Sequence, residues 1–290
     1  MELWMDYINV SANAKINIAL DVLGKRPDGY HDLRSVMQTI DLKDNIYIRK
    51  IFTPKIKIVS NVRFLPTDER NLCHKACKAL FDKYNPDFGV YIEIDKNIPV
   101  SAGLGGGSAD CAATLIGVKE LLKFPVSYNE LLDIGKTLGA DVPFCMEKGT
   151  MLAEGIGDRL TRLTDHPPVY LLLAKPNVSV STAKVFSNLV IEDIKRRPDM
   201  EAVISAINRK DLRAIAENLS NVLETVTIKE YPMIEHIKSR MTELGALSAL
   251  MSGSGPTVFG YFENKENAWE ALKQIKSEFR LREIFVSGIS

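Results

Sequence analysis

The sequence predicts an α+β chain of two domains. Three observations predict it. The chain has 290 residues, about twice an ordinary domain, with 46% hydrophobic and 26% charged residues, the balance of a globular protein with a real core. Strand patterns dominate up to residue 100, and helical patterns follow. From Pro168 to Ser290 the mixture of strand and helix begins again, which places a boundary near residue 163 and divides the chain into 1–162 and 163–290.

The elements follow in order. "INVSANAKINIALDV" alternates, with Ile16, Ile18 and Leu20 on one face and Lys15, Asn17 and Ala19 on the other, the period of a strand. Pro27-Asp28-Gly29 signals a turn. "VMQTIDL", "NIYIRK" and "IKIVS" read as three further strands, "ERNLCHKACKALFDKY" as a helix, and "VYIEIDKNIP" as another strand. Ser108 to Leu122 is helical by pattern. "SYNE" at Ser127 to Glu130 is a capping box that starts a second helix, which ends near Gly139. "GTMLAEGIGDRL" predicts strand and turn, and "PVYLLLAKP" a buried strand. A helix from Thr182, helices across 200–243, a strand-turn-strand at "ALMSGSGPTVFGYF", a helix and a last strand at "REIFVSG" complete the chain. The run "DIKRRPD", Asp193 to Asp199, reads as a solvated helix end.

Composition narrows the function. Lys+Arg and Asp+Glu both number 37, so the formal net charge is zero, which argues against bulk binding to nucleic acid or an anionic membrane. "MELWMDYINVSANAK" has no signal-peptide pattern, and "VYLLLA" is too short to span a bilayer. The cysteines at 73, 77, 111 and 145 form no disulfide framework, so the expected compartment is the cytoplasm. "CHKAC" resembles half of a metal site, but no second cluster completes it. Two small apolar residues on a helix face account for it better.

The informative stretch is "PVSAGLGGGSADCAATL", Pro99 to Leu115. Glycines crowded before a helix are either a linker or a cradle. Leu104 inside the run and apolar elements on both sides disfavour a linker. A cradle uses glycine to bring backbone N–H groups together at a helix N-terminus, where donors lack partners and the dipole is positive. It is no Walker loop, because Gly107 is followed by Ser108 and not lysine. It also lacks the acidic partner of the dinucleotide fingerprint.

Pro99 with "GLGGGSAD" resembles the phosphate loop of the GHMP small-molecule kinases, and "SGSGPT" at Ser252 to Thr257 resembles their C-terminal glycine motif. "NAKINIALDVLGKRPDGYHDLRSV", "NLCHKA", "IDKNIPVSAGLGGGSAD", "LGADVPF", "AEGIGD" and "SGSGPT" are similar in order and spacing to one branch of that family over nearly the whole chain. That branch acts on an alcohol carrying a cytidine diphosphate handle. Asn13, Cys145 and Lys148 depart from it, standing where proline, phenylalanine and glycine are common.

The resemblance implies a two-domain GHMP kinase fold with the active site in the cleft between domains, transferring phosphate from ATP with Mg²⁺. It implies Asp141 as the catalytic base and Lys15 as its partner, which stabilises charge on the transferring group. Pro99, Val100, Ala102, Gly103, Leu104, Gly105, Gly106, Gly107 and Ser108 would hold the phosphates. Asn71, Leu72 and Lys96 would border the adenine. Tyr30 and Phe186 would sandwich the cytosine, His31 would read its edge, and Thr182 and Asn17 would contact the substrate. No protein ligand set for Mg²⁺ is fixed; Ser108 is a candidate hydroxyl and Glu154 a further one. The expected partners are ATP and the small alcohol, with no nucleic acid or membrane, for a monomer or weak homodimer. Helix geometry agrees with the position of Asp141. A cradle-opened helix of about 15 residues runs about 22 Å, and an antiparallel one of about 11 residues returns about 16 Å, bringing "GADVPF" back toward the glycines.

Overall fold

Apolar alternation from residue 7 makes one long strand, β1 (Tyr7–Lys25), which turns into a second, β2 (His31–Ile51). The computed structural model describes residues 6–289; the first five residues of the stretch read for a signal peptide lie outside it. Asp28 closes the turn by accepting the N–H of Tyr30, and Gly29 takes the left-handed φ of +88° that the turn requires. "VMQTIDL" and "NIYIRK", expected as separate strands, are one. The polar residues between them look like a break. Asp44 is instead fully buried, and its Oδ1 accepts the N–H groups of Asn97 and Ile98 at 2.5 and 2.7 Å. A carboxylate satisfied in this way stays inside a strand without cost to the ladder.

Next come β3 (Ile56–Ser60), α1 (Leu72–Tyr84), β4 (Gly89–Asp95), α2 (Gly106–Leu122), α3 (Tyr128–Leu138), α4 (Val142–Glu147) and the hairpin of β5 (Thr150–Gly155) with β6 (Arg159–Arg162). The chain continues through β7 (Val169–Lys175), α5 (Thr182–Ser187), α6 (Met200–Asn208), α7 (Leu212–Glu217), the two-residue β8 (Ser220–Asn221), α8 (Glu224–Glu230) and α9 (Met233–Glu243). It closes with β9 (Ser248–Met251), β10 (Val258–Phe262), α10 (Lys265–Glu278) and β11 (Glu283–Ile289). Side-chain caps start the helices where the sequence supplies them: Asn71 for α1, Ser127 for α3 and Ser181 for α5. The charge run is mostly exposed and joins two helix ends, a single 3-10 turn that closes at Asp193 and the start of α6. Asp199 caps the start of α6, and Arg197 donates to Asp21 Oδ1 at 2.7 Å and to Val22 O at 3.0 Å.

Two compact units share the chain, and neither is a single run of sequence. The first takes Met1–Ala14, Leu42–Ile98 and Gly105–Glu147, and the second Lys15–Asp41, Pro99–Leu104 and Lys148–Ser290. In the first, β4 pairs antiparallel with Asn45–Ile51 of β2 and parallel with β3. Helix α2 packs against α1, α3 and α4 and is buried over most of its length, as its largely small and apolar sequence demands. Cys73 and Cys77 are fully buried on one face of α1, and burial pushes both thiols well up, so they act as small apolar side chains.

In the second unit, β7 is flanked by β11 and β10, and β10 pairs with β9, all antiparallel. Helices α9 and α10 cover this sheet through a core that includes Leu172, Ile237, Met241, Phe262 and Ile275. Leu33–Gln38 of β2 pairs with β5, and Ala19 and Leu20 of β1 pair in parallel with β8. No helix among the described residues is long and apolar enough to cross a membrane.

Lys148, which stands where glycine is common in the similar kinases, has a φ of +57°, the left-handed region that an L side chain strains to occupy. Replacing Lys148 with glycine is expected to stabilise the fold by about 0.5–1 kcal/mol, after the extra chain entropy of glycine is subtracted. A rise in the urea midpoint at unchanged m checks it.

A buried histidine gives the fold an acid limit. Pro167 O, 2.5 Å from His166 Nδ1, can only accept, so Nδ1 carries the proton and Nε2 accepts the O–H of Tyr261 at 3.2 Å. Burial holds this imidazole down to about 4, against the ordinary 6.5. The unfolded chain therefore binds more protons between those two values. The stability from a neutral His166 is complete above pH 6.5 and is lost as pH falls toward 4, by about 3 kcal/mol at most. Unfolding free energies measured from pH 7 to 4 should show that slope, and His166→Gln should flatten it.

Candidate active site

Glycines in series have no stiffness of their own, so the site begins with what holds them. In the first unit, α2 starts at Gly105, whose φ of +70° puts it in the left-handed region, and no side chain caps the helix. The first helical bond runs from Ala109 N to Gly105 O at 2.9 Å. The N–H groups of Gly106, Gly107 and Ser108 therefore have no intrahelical acceptor and sit at the positive end of a 17-residue dipole. That is a ready seat for phosphate. A Cβ on Gly106 would press on Ile98 Cγ2 at 3.0 Å and on Lys96 Nζ at 3.2 Å, and one on Gly107 would touch Leu72 Cδ1 at 3.7 Å. Leu72 and Lys96 thus border the cradle. Asn71, next to Leu72, spends its side chain on the turn, accepting the N–H of Cys73 at 2.8 Å and donating to Pro66 O at 2.6 Å.

Lys96 is the most constrained of these residues. Its ammonium lies buried between Asp44 Oδ2 at 2.5 Å and Asp110 Oδ2 at 2.8 Å. Asn61 holds its backbone, accepting Lys96 N–H at 2.9 Å and donating to Lys96 O at 3.2 Å. Burial pulls the ammonium down, but Asp110 and Asp44 outweigh it and leave Lys96 raised. Burial, with the charge of Asp44 added, pushes the Asp110 carboxyl up to about 8 against the pull of Lys96. Its ammonium and its backbone N–H and C=O all have partners, and its Nζ lies beside Gly106 at the start of α2. Sequence reasoning missed Asp44 and Asp110. The acid inside "GGSADCAATL" was the available signal.

Asp141 lies half-buried at the start of α4, and its carbonyl accepts the N–H of Cys145 at 3.0 Å. Two residues earlier Gly139 ends α3, and a Cβ there would lie 3.8 Å from Ser108 Oγ. The loop bearing Asp141 thus returns to the first turn of α2 within the first unit.

The second unit gathers the other half of the residues. Lys15, on the strand face opposite Ile16 and Ile18, is 6% exposed, and its ammonium donates to Asn17 Oδ1 at 2.8 Å. Asn17 donates to Ser35 Oγ at 2.8 Å, and Ser35 to Ala19 O at 2.7 Å, so a chain of bonds fixes the lysine. The Ser252–Thr257 turn faces the pair: a Cβ on Gly253 would lie 3.4 Å from Asn17 Oδ1 and 3.6 Å from Lys15 Nζ. The same turn braces the Pro99–Leu104 arm. Ser252 Oγ donates to Gly103 O at 2.9 Å, Thr257 N to Ala102 O at 3.3 Å, and Lys15 N to Leu104 O at 3.0 Å. Gly103, at φ +76°, has no room for a side chain against Ser252 O. Pro99 and Ala102 are buried here and Val100 partly so.

His31 stacks at a tilt on Phe186, ring centroids 5.2 Å apart, and burial, with Lys25 adding, lowers its basicity. Tyr30 is 61% exposed beside it. The hydroxyls of Thr182 and Ser254 are 2.8 Å apart, which joins α5 to the glycine turn. An exposed tyrosine next to a ring pair and two hydroxyls is suited to a flat, polar-edged ligand.

The first unit thus carries a glycine cradle at a bare helix start with an aspartate returned to it, and the second a buried lysine beside a second glycine turn; each unit has what the resemblance to the small-molecule kinases of the GHMP class implies. Family models agree: "GHMP kinases N terminal domain" matches residues 71–149 and "GHMP kinases C terminal" matches 203–281. The chain belongs to the 4-diphosphocytidyl-2-C-methyl-D-erythritol kinase family. It is 49% identical over 272 residues to the kinase of that name from Lachnoclostridium phytofermentans, covering 94% of each chain. It is 48% identical to that from Acetivibrio thermocellus, covering 94% of this chain and 96% of the relative. The crystal structure of a 4-(cytidine 5'-diphospho)-2C-methyl-D-erythritol kinase superposes with a TM-score of 0.83 at 30% identity, over 97% and 98% of the two chains. A homoserine kinase from Cytophaga hutchinsonii, at TM-score 0.76 and 20% identity, shares the fold.

The buried trio under the cradle has a measurable signature. Lys96→Met strips the cation from two buried carboxylates and is expected to cost about 3–5 kcal/mol of stability. Asp110→Asn keeps the shape and an acceptor for Lys96 and is expected to cost less than about 1 kcal/mol. Urea unfolding of the two variants side by side tests the contrast.

Proposed function

We propose that the protein is an ATP-dependent kinase for the 2-hydroxyl of 4-diphosphocytidyl-2-C-methyl-D-erythritol (CDP-methylerythritol), giving the 2-phosphate and ADP in isoprenoid precursor synthesis. The observation that carries this reading is the pairing of an uncapped, glycine-lined start of α2 with the Asp141 loop returned to Ser108. The relatives' shared name supplies the substrate. Asp141 accepts the proton of the attacking hydroxyl, and Lys15 stabilises charge on the transferring phosphoryl group. Pro99, Val100 and Ala102 to Ser108 hold the phosphates, Ala102 to Ser108 through backbone donors. Leu72 borders the adenine, with Asn71 and Lys96 shaping the wall. Tyr30 and Phe186 flank the cytosine, and His31, its basicity lowered by burial, reads its edge. Thr182 and Asn17 contact the rest of the substrate.

Among the described residues no three His, Cys, Asp or Glu side chains are grouped to hold a metal ion. Mg²⁺ keeps several waters and binds largely through phosphates, so it calls for no such group. The Ser108 hydroxyl in the first turn of α2 is the candidate side-chain ligand, and Glu154 faces Arg34 at 3.6 Å instead. When bound, Mg²⁺ neutralises charge on the β- and γ-phosphate oxygens. In this reading a boundary near residue 162, between the two family matches, separates the two family domains. The chain works in the cytoplasm as a monomer or weak homodimer, without nucleic-acid or membrane partners.

Coupled ADP release with Mg-ATP tests the substrate, with turnover expected on CDP-methylerythritol and none on homoserine or mevalonate. Asp141→Asn is expected to keep the fold and lose about 10²–10⁴-fold in kcat. A kcat near that of the wild type overturns the base assignment. Tyr30→Ala is expected to raise KM for the cytidine substrate while leaving KM for ATP unchanged.

A further inference from the structure

The Ser252–Thr257 turn braces both the first arm of the cradle and the Lys15–Asn17 pair, yet four of its six residues are Ser252, Gly253, Ser254 and Gly255, small or free in φ. Something outside the turn must fix it. One side chain does most of this. Asn221, 5% exposed on the two-residue strand β8, donates both of its amide hydrogens, one to Met251 O and one to Gly253 O, each at 2.8 Å. Its Oδ1 accepts the N–H of Leu223 at 3.0 Å. Three of its four hydrogen-bonding positions are therefore filled, and its orientation is fully set. β8 is itself held to β1, in register with Ala19 and Leu20, four and five residues beyond Lys15. Glu224 accepts the N–H of Met251 at 2.9 Å, and Thr227 Oγ1 donates to Ser254 O at 3.3 Å, so the segment after β8 holds the chain at two further points, one just before the turn and one within it.

We propose that Asn221 is a positioning residue for phosphoryl transfer, holding the Ser252–Thr257 turn in the conformation that seats Lys15 and the Pro99–Leu104 arm. It touches neither reactant and acts through Met251 and Gly253. No other neutral side chain of this size presents two donors and one acceptor. Aspartate, its nearest match in shape, would set a carboxylate against two carbonyl oxygens. The proposal rests on the kinase reading of the site.

The test is Asn221→Asp, compared with the wild type in three readouts. Steady-state kinetics with Mg-ATP and CDP-methylerythritol should show kcat reduced tenfold or more. Part of that loss should be recovered as pH falls and the introduced carboxyl takes up a proton, regaining one donor. Amide hydrogen exchange should accelerate at Thr257, which donates to Ala102 O, and at Lys15, which donates to Leu104 O. A folded variant with wild-type kcat, wild-type pH profile and unchanged exchange at both amides overturns the proposal. A merely structural role would lower the melting temperature and leave the pH profile of kcat alone, and that result overturns it too. Should Asn221→Asp fail to fold, Thr227→Val loosens the same turn from the Ser254 side by an isosteric change. It is expected to lower kcat severalfold and speed exchange at Thr257; no change in either overturns the proposal. If the wild type itself turns over no cytidine substrate, the kinase reading falls, and exchange at Lys15 and Thr257 still decides whether Asn221 braces the arm.

Discussion

Glycine gives a loop the freedom to wrap an anion and takes away the means to hold that shape. Every feature around Pro99–Ser108 answers this constraint. The first arm is tied at three successive carbonyls, Ala102, Gly103 and Leu104, by Thr257, Ser252 and Lys15. The second part is fixed by incorporation into α2 and by side chains pressed against it, with Ile98 and Lys96 on Gly106 and Leu72 on Gly107. Donors that would wander in an unbraced loop are thus set before any ligand arrives. In that condition they cost no reorganisation when charge develops.

The same economy appears in the electrostatics. The cation of Lys15 is oriented by a relay through Asn17 and Ser35 that ends on a strand carbonyl, so its direction is inherited from β1. Lys96 is a cation of the opposite kind. Two carboxylates enclose it, and it serves as a buried cross-link between the strand residue Asp44 and the helix residue Asp110. Equal chemistry thus yields two roles, decided by what surrounds each ammonium. Asp110 Oδ1 is left without a partner in this nest, which agrees with a carboxyl whose ionisation burial opposes.

Much of this was legible in the sequence, and the failures have physical reasons. Periodicity and turn residues located the strands and helices, and Ser127 and Gly139 marked the ends of α3 as capping chemistry requires. The glycine run was legible because few other uses place such residues before a buried helix. Asp44 was not, because a polar residue between two apolar runs reads as a break unless its distant partners at 96–98 are known. The burial of Lys15 was hidden for the same reason: strand alternation reports one sheet's faces and not what covers the second face. Asn221 gave no signal at all, since a two-residue strand has no period and its partners lie 30 and 32 positions away. Residues that organise a site from behind are the hardest to read, because their meaning lies wholly in their contacts.

The interleaving of the two units has a consequence for synthesis. Residues 15–41 belong to the second unit, but their partner strands lie at 150–155 and 220–221. At about 5–20 residues per second, the strand that carries Lys15 leaves the ribosome roughly 10–40 s before β8 exists to pair with it. Through that interval an apolar β-edge is unpaired, and the contacts it awaits are among the most distant in the chain. The nascent protein is therefore a natural client for chaperones that shield extended segments. No single cut separates the two units: one between 147 and 148 leaves the first whole but takes residues 15–41 and 99–104 from the second.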